Sequence, residues 1–156
     1  MAVLCPYAAK GSNPLSLQAV YSAFLREVTE RVIATIGADT TSVRFSPNGG
    51  TEGCIDSHPE QVLVLAKMLL NDLDIAFLEL REPRPNGTSD KNDQPQLHGP
   101  IREVFKKPVV LNLGYTRDKA IETVATGVAD AISFGRAFLA NPDLVRRLED
   151  NLFLSH

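Results

Sequence analysis

ADAISFGRAFLANPDLVRRL, residues 129–148, decides how the rest of the chain is read. Asp130 to Phe134 have strand character and run into Gly135-Arg136; a short apolar turn follows, and Asn141-Pro142-Asp143 opens a helix. A glycine at a strand's C-terminal end lets backbone N–H groups come close to an anion, and the adjacent arginine adds a planar fork of donors suited to phosphate. The stretch therefore predicts a phosphate-gripping strand end.

Upstream of it, the same strand-then-helix grammar repeats. Pro108–Leu113 reads as a strand ending at Gly114, and Thr116 caps a helix carrying Ala120, Ile121, Val124 and Ala125, closed by Gly127. Ile75–Leu80 is a continuous apolar strand broken only by Glu79, as expected of a parallel strand covered on both faces. Before it, Ser57 with Glu60 forms a capping box and Pro59 sits in the first turn of a helix whose stripe is Val62, Leu65, Ala66, Leu69 and Leu73. Thr41–Phe45 is a short strand closed by the turn cluster 46–50, and Leu15–Ile36 is a helix with Leu17, Val20, Phe24, Val28 and Val32 recurring at three and four residues, ended by Gly37. Residues 81–99 are too polar for a core and make a long surface excursion that shapes a site, Ile101–Phe105 reads as a short helix, and residues 1–13 are an irregular lead-in. In the last helix Asn141 is expected as N-cap and Pro142 at the first helical position, with Leu144, Val145 and Leu148 on one face.

Composition bounds what this can mean. The 156 residues, 44% hydrophobic and 22% charged, suffice for one globular domain with a true core, spanning 14–156 after the lead-in. Net charge is −3 with sixteen basic and nineteen acidic residues interspersed, so no basic face recommends nucleic acid or an anionic membrane as partner. Cys5 and Cys54 are far apart with no metal-ligand spacing, which reads as free thiols in a reducing compartment. The opening MAVLCPYAAKGS reads as too short and interrupted for a signal peptide, and no apolar run approaches the roughly 18 residues of a membrane span. The expected location is the cytoplasm.

Strands alternating with helices imply right-handed βαβ units and a parallel sheet, either an open doubly wound sheet or part of a (β/α)₈ TIM barrel, for which about 250 residues is typical. Barrels place phosphate in the loops after their last two strands, beside a short extra helix. Gly114, Gly135-Arg136 and the apolar turn Ala137–Ala140 fit that arrangement. The fold class is thus α/β, a partial barrel of about four βα units.

VRFSPNG at 43–49, LELREPR at 78–84, LNLGYTRDKA at 111–120 and above all DAISFGRAFLANPDLVRRLE at 130–149 resemble the C-terminal half of the Old Yellow Enzyme family, FMN-dependent NAD(P)H ene-reductases that include 12-oxophytodienoate reductase. The resemblance covers about residues 28–151 and corresponds to strands five to eight of that barrel. It implies FMN as cofactor with NAD(P)H as reductant, hydride passing from reduced flavin to an activated alkene, and an enone-type substrate. It places Arg44 near the flavin's N1/C2 edge, and assigns Gly114, Gly135 and Arg136 to the FMN phosphate. A buried cation beside a developing anion is how a protein tunes such a cofactor.

The chain departs from the family at Asn112-Leu113, where small residues usually precede the glycine, and at PLSLQAVYS, residues 14–22, where the family reads YGGSxENR. The family's substrate-gripping His/Asn or His/His pair and proton-donor tyrosine belong to strands one to four and match nothing here, so no catalytic residue and no metal ligand is assigned, and a shortened form is expected whose activity the sequence leaves open. His58, His98 and His156 read as solvated, Tyr115 as packing over its loop, and Glu79 and Glu82 as residues that orient Arg44 or Arg81. Four barrel strands left open carry two unpaired edges. That predicts a homo-oligomer or a complementary half-barrel as partner, and as alternative function a non-catalytic half-barrel that binds phosphate or a partner protein.

Overall fold

Strand and helix alternate through the computed structural model, which describes residues 2–3, 14–47, 61–82 and 95–155. In chain order the elements are β1 (Ala2–Val3), α1 (Pro14–Ile36), β2 (Ser42–Phe45), α2 (Gln61–Met68), β3 (Phe77–Arg81), α3 (His98–Val104), β4 (Val109–Asn112), α4 (Arg117–Ala125), β5 (Ala131–Ser133), α5 (Arg136–Ala140) and α6 (Leu144–Glu149). A 3₁₀ turn, Ala38–Thr40, precedes β2, and a π-helical turn, Leu69–Leu73, prolongs α2. The capping box at Ser57 and Glu60, the residues 48–50, Cys5, Cys54, His58 and His156 lie outside the described residues.

All neighbouring strands are parallel, and their order in the sheet is the chain order, β1-β2-β3-β4-β5. A doubly wound sheet reverses its order at a switch point. A sheet that never reverses, with helical crossovers, is a sector of a barrel wall, as the strand ends led us to expect. The two-residue β1 is an addition to the expected four strands: Ala2 and Val3 pair with Val43 and Arg44, so β1-α1-β2 forms one more βαβ unit.

Period-two alternation sorts the sheet into two faces. Val43, Phe45, Leu78, Leu80, Val109 and Leu111 are buried together with Leu25 of α1, Ala66 of α2, and Ile101 and Phe105 from α3 and its end. That layer is the core, and each large side chain taken fully out of water there contributes about 1.5–3 kcal/mol. The alternate strand positions carry Arg44, Glu79, Asn112 and Ser133 beside Phe77, Val110 and Ala131, so a line of polar side chains crosses the second face.

The stripes expected on three helices shift. Among the described side chains of α1 the buried positions are Leu25 and Thr29, with Ile33 partly buried, whereas Phe24 and Val32 are exposed; Leu17 and Val20 lie outside the described side chains. The helix carries two apolar stripes about one residue apart; the one with Leu25 enters the core, and Arg26 beside it pairs with Asp72 at 2.6 Å. On α4 Thr123 is buried while Ile121 and Val124 remain 53% and 41% exposed. On α6 Leu144 is buried and Val145 exposed.

Asn141 is not the N-cap of the last helix. Its Nδ2 donates to the carbonyls of Ala137 and Ser155, and its Oδ1 accepts the Ser155 N–H at 2.9 Å, so it closes α5 and fastens residue 155. Two helix ends behave as their sequences imply. Thr116 Oγ1 accepts the Lys119 N–H at the start of α4, and Gly37, at φ 89°, returns its N–H to Ile33 O to close α1.

At the N-terminal end of the sheet Asp130 bolts three elements together. Its carboxylate accepts the Val109 N–H at 2.8 Å and both terminal nitrogens of Arg102. Those Arg102 hydrogen bonds, and then the Val109 N–H, hold the carboxyl below its ordinary value. Among the described residues no helix is long and apolar enough to cross a membrane.

Candidate functional site

Because every strand is parallel, all C-terminal strand ends lie at one end of the sheet, and the residues that follow them converge there. Arg44 lies in β2, Gly114 two residues past β4, and Gly135-Arg136 two residues past β5. A chain of hydrogen bonds across the polar face links these strands.

Arg44 grips Glu79 side-on: Nε donates to Oε2 at 2.9 Å and Nη2 to Oε1 at 2.6 Å. The register that sets Arg44 directly opposite Glu79 makes this pairing possible. The Ser133 hydroxyl donates to the same Glu79 Oε1 at 2.5 Å. Asn112 Nδ2 in turn donates to the Ser133 carbonyl and hydroxyl oxygens at 2.9 and 2.8 Å. The Asn112–Ser133 rung follows from their pairing in the parallel ladder. Four strands are thereby tied by polar side chains on one face.

The charge balance within this network is specific. Glu79's side chain is only 6% exposed and Arg44's 23%. Burial by itself would push the Glu79 carboxyl up, but the Arg44 guanidinium and the Ser133 hydroxyl outweigh it, so the group lies below its ordinary value and is a carboxylate at neutral pH. Side-on pairing occupies one flank of the guanidinium and leaves Nη1 on its far end.

The strand ends differ from one another. After β4, Leu113 and Gly114 both have positive φ, 87° and 71°. A leucine there is strained, and the chain holds it because Asn112 before it is locked to β5 and the partly buried Tyr115 after it packs on the core. Gly114→Ala adds a second side chain to this left-handed pair and is expected to lower stability by about 1 kcal/mol, read from the urea midpoint. After β5, Gly135 has φ −99°, which any residue adopts, and a Cβ built on it meets nothing within 4 Å. Its value is therefore space: the surface beside it is open. Arg136 begins α5 and is exposed.

Glu82 serves the backbone. Buried beyond the end of β3, its carboxylate accepts the backbone N–H groups of Leu97 and His98 at 2.6 and 3.0 Å and meets His98 Nδ1 at 3.2 Å. It caps α3 and ties the residue after β3 to that helix's start. His98 is correspondingly half-buried at a helix start instead of solvated in a loop.

Of the residues singled out beforehand, Arg44 and Glu79 are in direct contact, and Gly114, Gly135 and Arg136 follow the strands that Asn112 and Ser133 join to that pair. Asn112 and Ser133 were not singled out as site residues, although a signal existed: each is a polar residue at an alternate position of a short strand otherwise made of apolar residues. What the arrangement offers is positive charge for an anion. A half-buried cation is held in one orientation, a second cation stands at the end of β5, and open space lies beside Gly135.

Comparison with known proteins gives one consistent picture. The profile of the NADH:flavin oxidoreductase / NADH oxidase family matches residues 21–155. An old yellow enzyme homologue from Zymomonas mobilis is 56% identical in the aligned region and superposes with a TM-score of 0.80, covering 86% of this chain and 38% of that one. The old yellow enzyme of Trypanosoma cruzi is 28% identical with a TM-score of 0.73, over 93% of this chain and 38% of its own. The 12-oxophytodienoate reductase 7 of Oryza sativa is 33% identical over 147 residues, which are 85% of this chain and 37% of the relative. The chain thus spans about two fifths of the length of the proteins it matches, and their barrel fold is the one of which this sheet is a sector.

Proposed function

The chain belongs to the NADH:flavin oxidoreductase / NADH oxidase family, and from that membership we propose that it binds FMN at the C-terminal ends of its strands and takes part in NAD(P)H-dependent reduction of an activated, enone-type alkene in the cytoplasm. The observation that carries this reading is the hydrogen-bonded line Arg44–Glu79–Ser133–Asn112, which joins the strands bearing all four proposed cofactor residues and keeps a cation half-buried on the polar face. When bound, FMN supplies two-electron transfer between a nicotinamide and the alkene.

The residues divide the work of holding it. Arg44 offers the free end of its guanidinium to the electron-rich edge of the isoalloxazine, where positive charge favours the reduced state. Gly114 and Gly135 allow the backbone close to the phosphate, and Arg136 adds a charge-assisted donor. Arg136 is exposed and its truncation leaves the core untouched. Arg136→Ala is therefore expected to weaken FMN binding by about 2 kcal/mol, roughly thirtyfold in Kd, in a titration followed by flavin fluorescence. A wild-type protein that stays colourless after FMN titration refutes the proposal as a whole; an unchanged Kd in the variant refutes the phosphate role of Arg136.

A second reading has its own support. Ala120, Ile121, Val124 and Ala125 of α4 line an open apolar groove of about 500 Å³ with Ile132 and Phe134, next to the outermost strand β5. Apolar surface of this kind beside an unpaired edge invites association. In this reading the chain works as a non-catalytic half-barrel, either paired with itself or completed by a complementary half. Size-exclusion chromatography with flavin absorbance read on the same peak distinguishes the cases: an associated, flavin-free peak favours the second reading and a yellow one the first.

A further inference from the structure

We infer that Glu79 is a positioning residue that sets the reduction potential of the bound flavin, by aiming the Arg44 guanidinium and partly cancelling its charge, an inference that rests on the FMN reading above. The argument is geometric. Two separate nitrogens of Arg44, Nε and Nη2, are held by the two oxygens of one carboxylate, so the guanidinium plane cannot rotate without losing both bonds. The carboxylate is itself fixed from the far side by the Ser133 hydroxyl on Oε1, and Ser133 by the Asn112 amide. Orientation is therefore imposed on Arg44 from three strands.

Such a device also has an electrostatic consequence. A lone half-buried arginine presents a full positive charge to whatever lies at its free end, whereas an arginine backed by a carboxylate at 2.6 Å presents a dipole. The first strongly favours the reduced, more negatively charged cofactor; the second favours it less. The Ser133 hydroxyl tempers the effect by drawing carboxylate charge toward itself, away from the guanidinium. The potential is thus set by a balance of three side chains, of which only Arg44 faces the cofactor.

Opposite signs are expected from two substitutions. Glu79→Gln keeps the shape and an acceptor oxygen but removes the negative charge, and should favour the reduced flavin at least tenfold, a shift of the midpoint potential by about +30 mV for a two-electron couple. Ser133→Ala leaves the carboxylate undiluted and should move the midpoint in the negative direction; as a small truncation in an edge strand, it also serves if Glu79→Gln does not fold. The measurement is a spectroelectrochemical or dye-equilibration titration of the FMN-loaded chain. Midpoints that stay at the wild-type value, or that move in the same direction in both variants, overturn the inference while leaving FMN binding standing. A wild-type chain that takes up no FMN overturns both. A merely structural role for Glu79 changes stability without this pair of opposite shifts.

Discussion

Arg44→Ala is expected to lower folding stability by about 3 kcal/mol at neutral pH, measured by urea denaturation. The loss does not come from the arginine's own contacts so much as from what it leaves behind. Glu79's side chain is 6% exposed, and without the guanidinium its carboxylate keeps only the Ser133 hydroxyl as a charge-stabilising partner. A buried ion stripped of its counter-ion carries most of its desolvation penalty uncompensated. Replacing the pair together, Arg44→Met with Glu79→Leu, should therefore recover most of the loss, although the flavin site is destroyed. The pH dependence follows from the direction of the Glu79 shift. Its folded value is depressed below the ordinary 4.5, so the stability it contributes is fully present above 4.5 and is lost as pH falls through the folded value. In Arg44→Ala the depression is gone, so the gap between wild type and variant should be widest at neutral pH and close in acid. A gap that is constant with pH contradicts this assignment of the energy.

Glu82→Ala is the second large effect, again about 3 kcal/mol, for a different reason. Here a buried carboxylate satisfies two backbone donors at the start of α3, the N–H groups of Leu97 and His98. Hydrogen bonds to a charged acceptor contribute about 1.5–3 kcal/mol each, and the truncation orphans both donors beside a core residue, Leu97, that is itself buried. Hydrogen exchange at those two amides should accelerate ahead of the sheet's, since the first turn of α3 loses its cap. Glu82→Gln, whose single carbonyl oxygen can still accept one N–H, should lose about half as much. If the exchange of Leu97 and His98 is unchanged in Glu82→Ala, the capping role is wrong even where global stability falls.

The backbone plan was legible because it rests on local chemistry. Thr116 as cap, Gly127 past the end of α4 and the alternation of strands with helices all depend on residues close in sequence, and the structure places them as their types dictate; the apolar run from Ile75 becomes β3 from Phe77 and extends to Arg81. The sectors of helix that touch the core were less legible. Leu25 and Ile33 of α1 lie beside Phe24 and Val32 in the sequence, and periodicity alone gives either stripe an equal claim; packing on the core cluster selects between them. The same is true of Asn141, whose sequence context suits an N-cap before Pro142 but whose amide is taken up by a carbonyl one turn back and by Ser155 fourteen residues on.

The candidate site divides along the same line. Gly114, Gly135 and Arg136 stand just past strands, as their types suggest, and Arg44 lies within β2; the motif ISFGRAFLANPDL carries enough local signal for a strand and a turn, but the helix it opens begins at Leu144 and not at Pro142. What sequence determined about this protein is the alternation of elements, the parallel sheet and the family. What only the tertiary structure decided is which polar residues meet. Arg44 and Glu79 are 35 positions apart, and Ser133 lies 54 beyond Glu79. Pairwise register across four strands, set by burial of the opposite face, brings them within hydrogen-bonding distance. Local propensity acts over a few residues and contains no term for that register; the core layer of Val43, Leu78, Val109 and their neighbours supplies it, because slipping any strand by one residue would turn its apolar side chains out of the core.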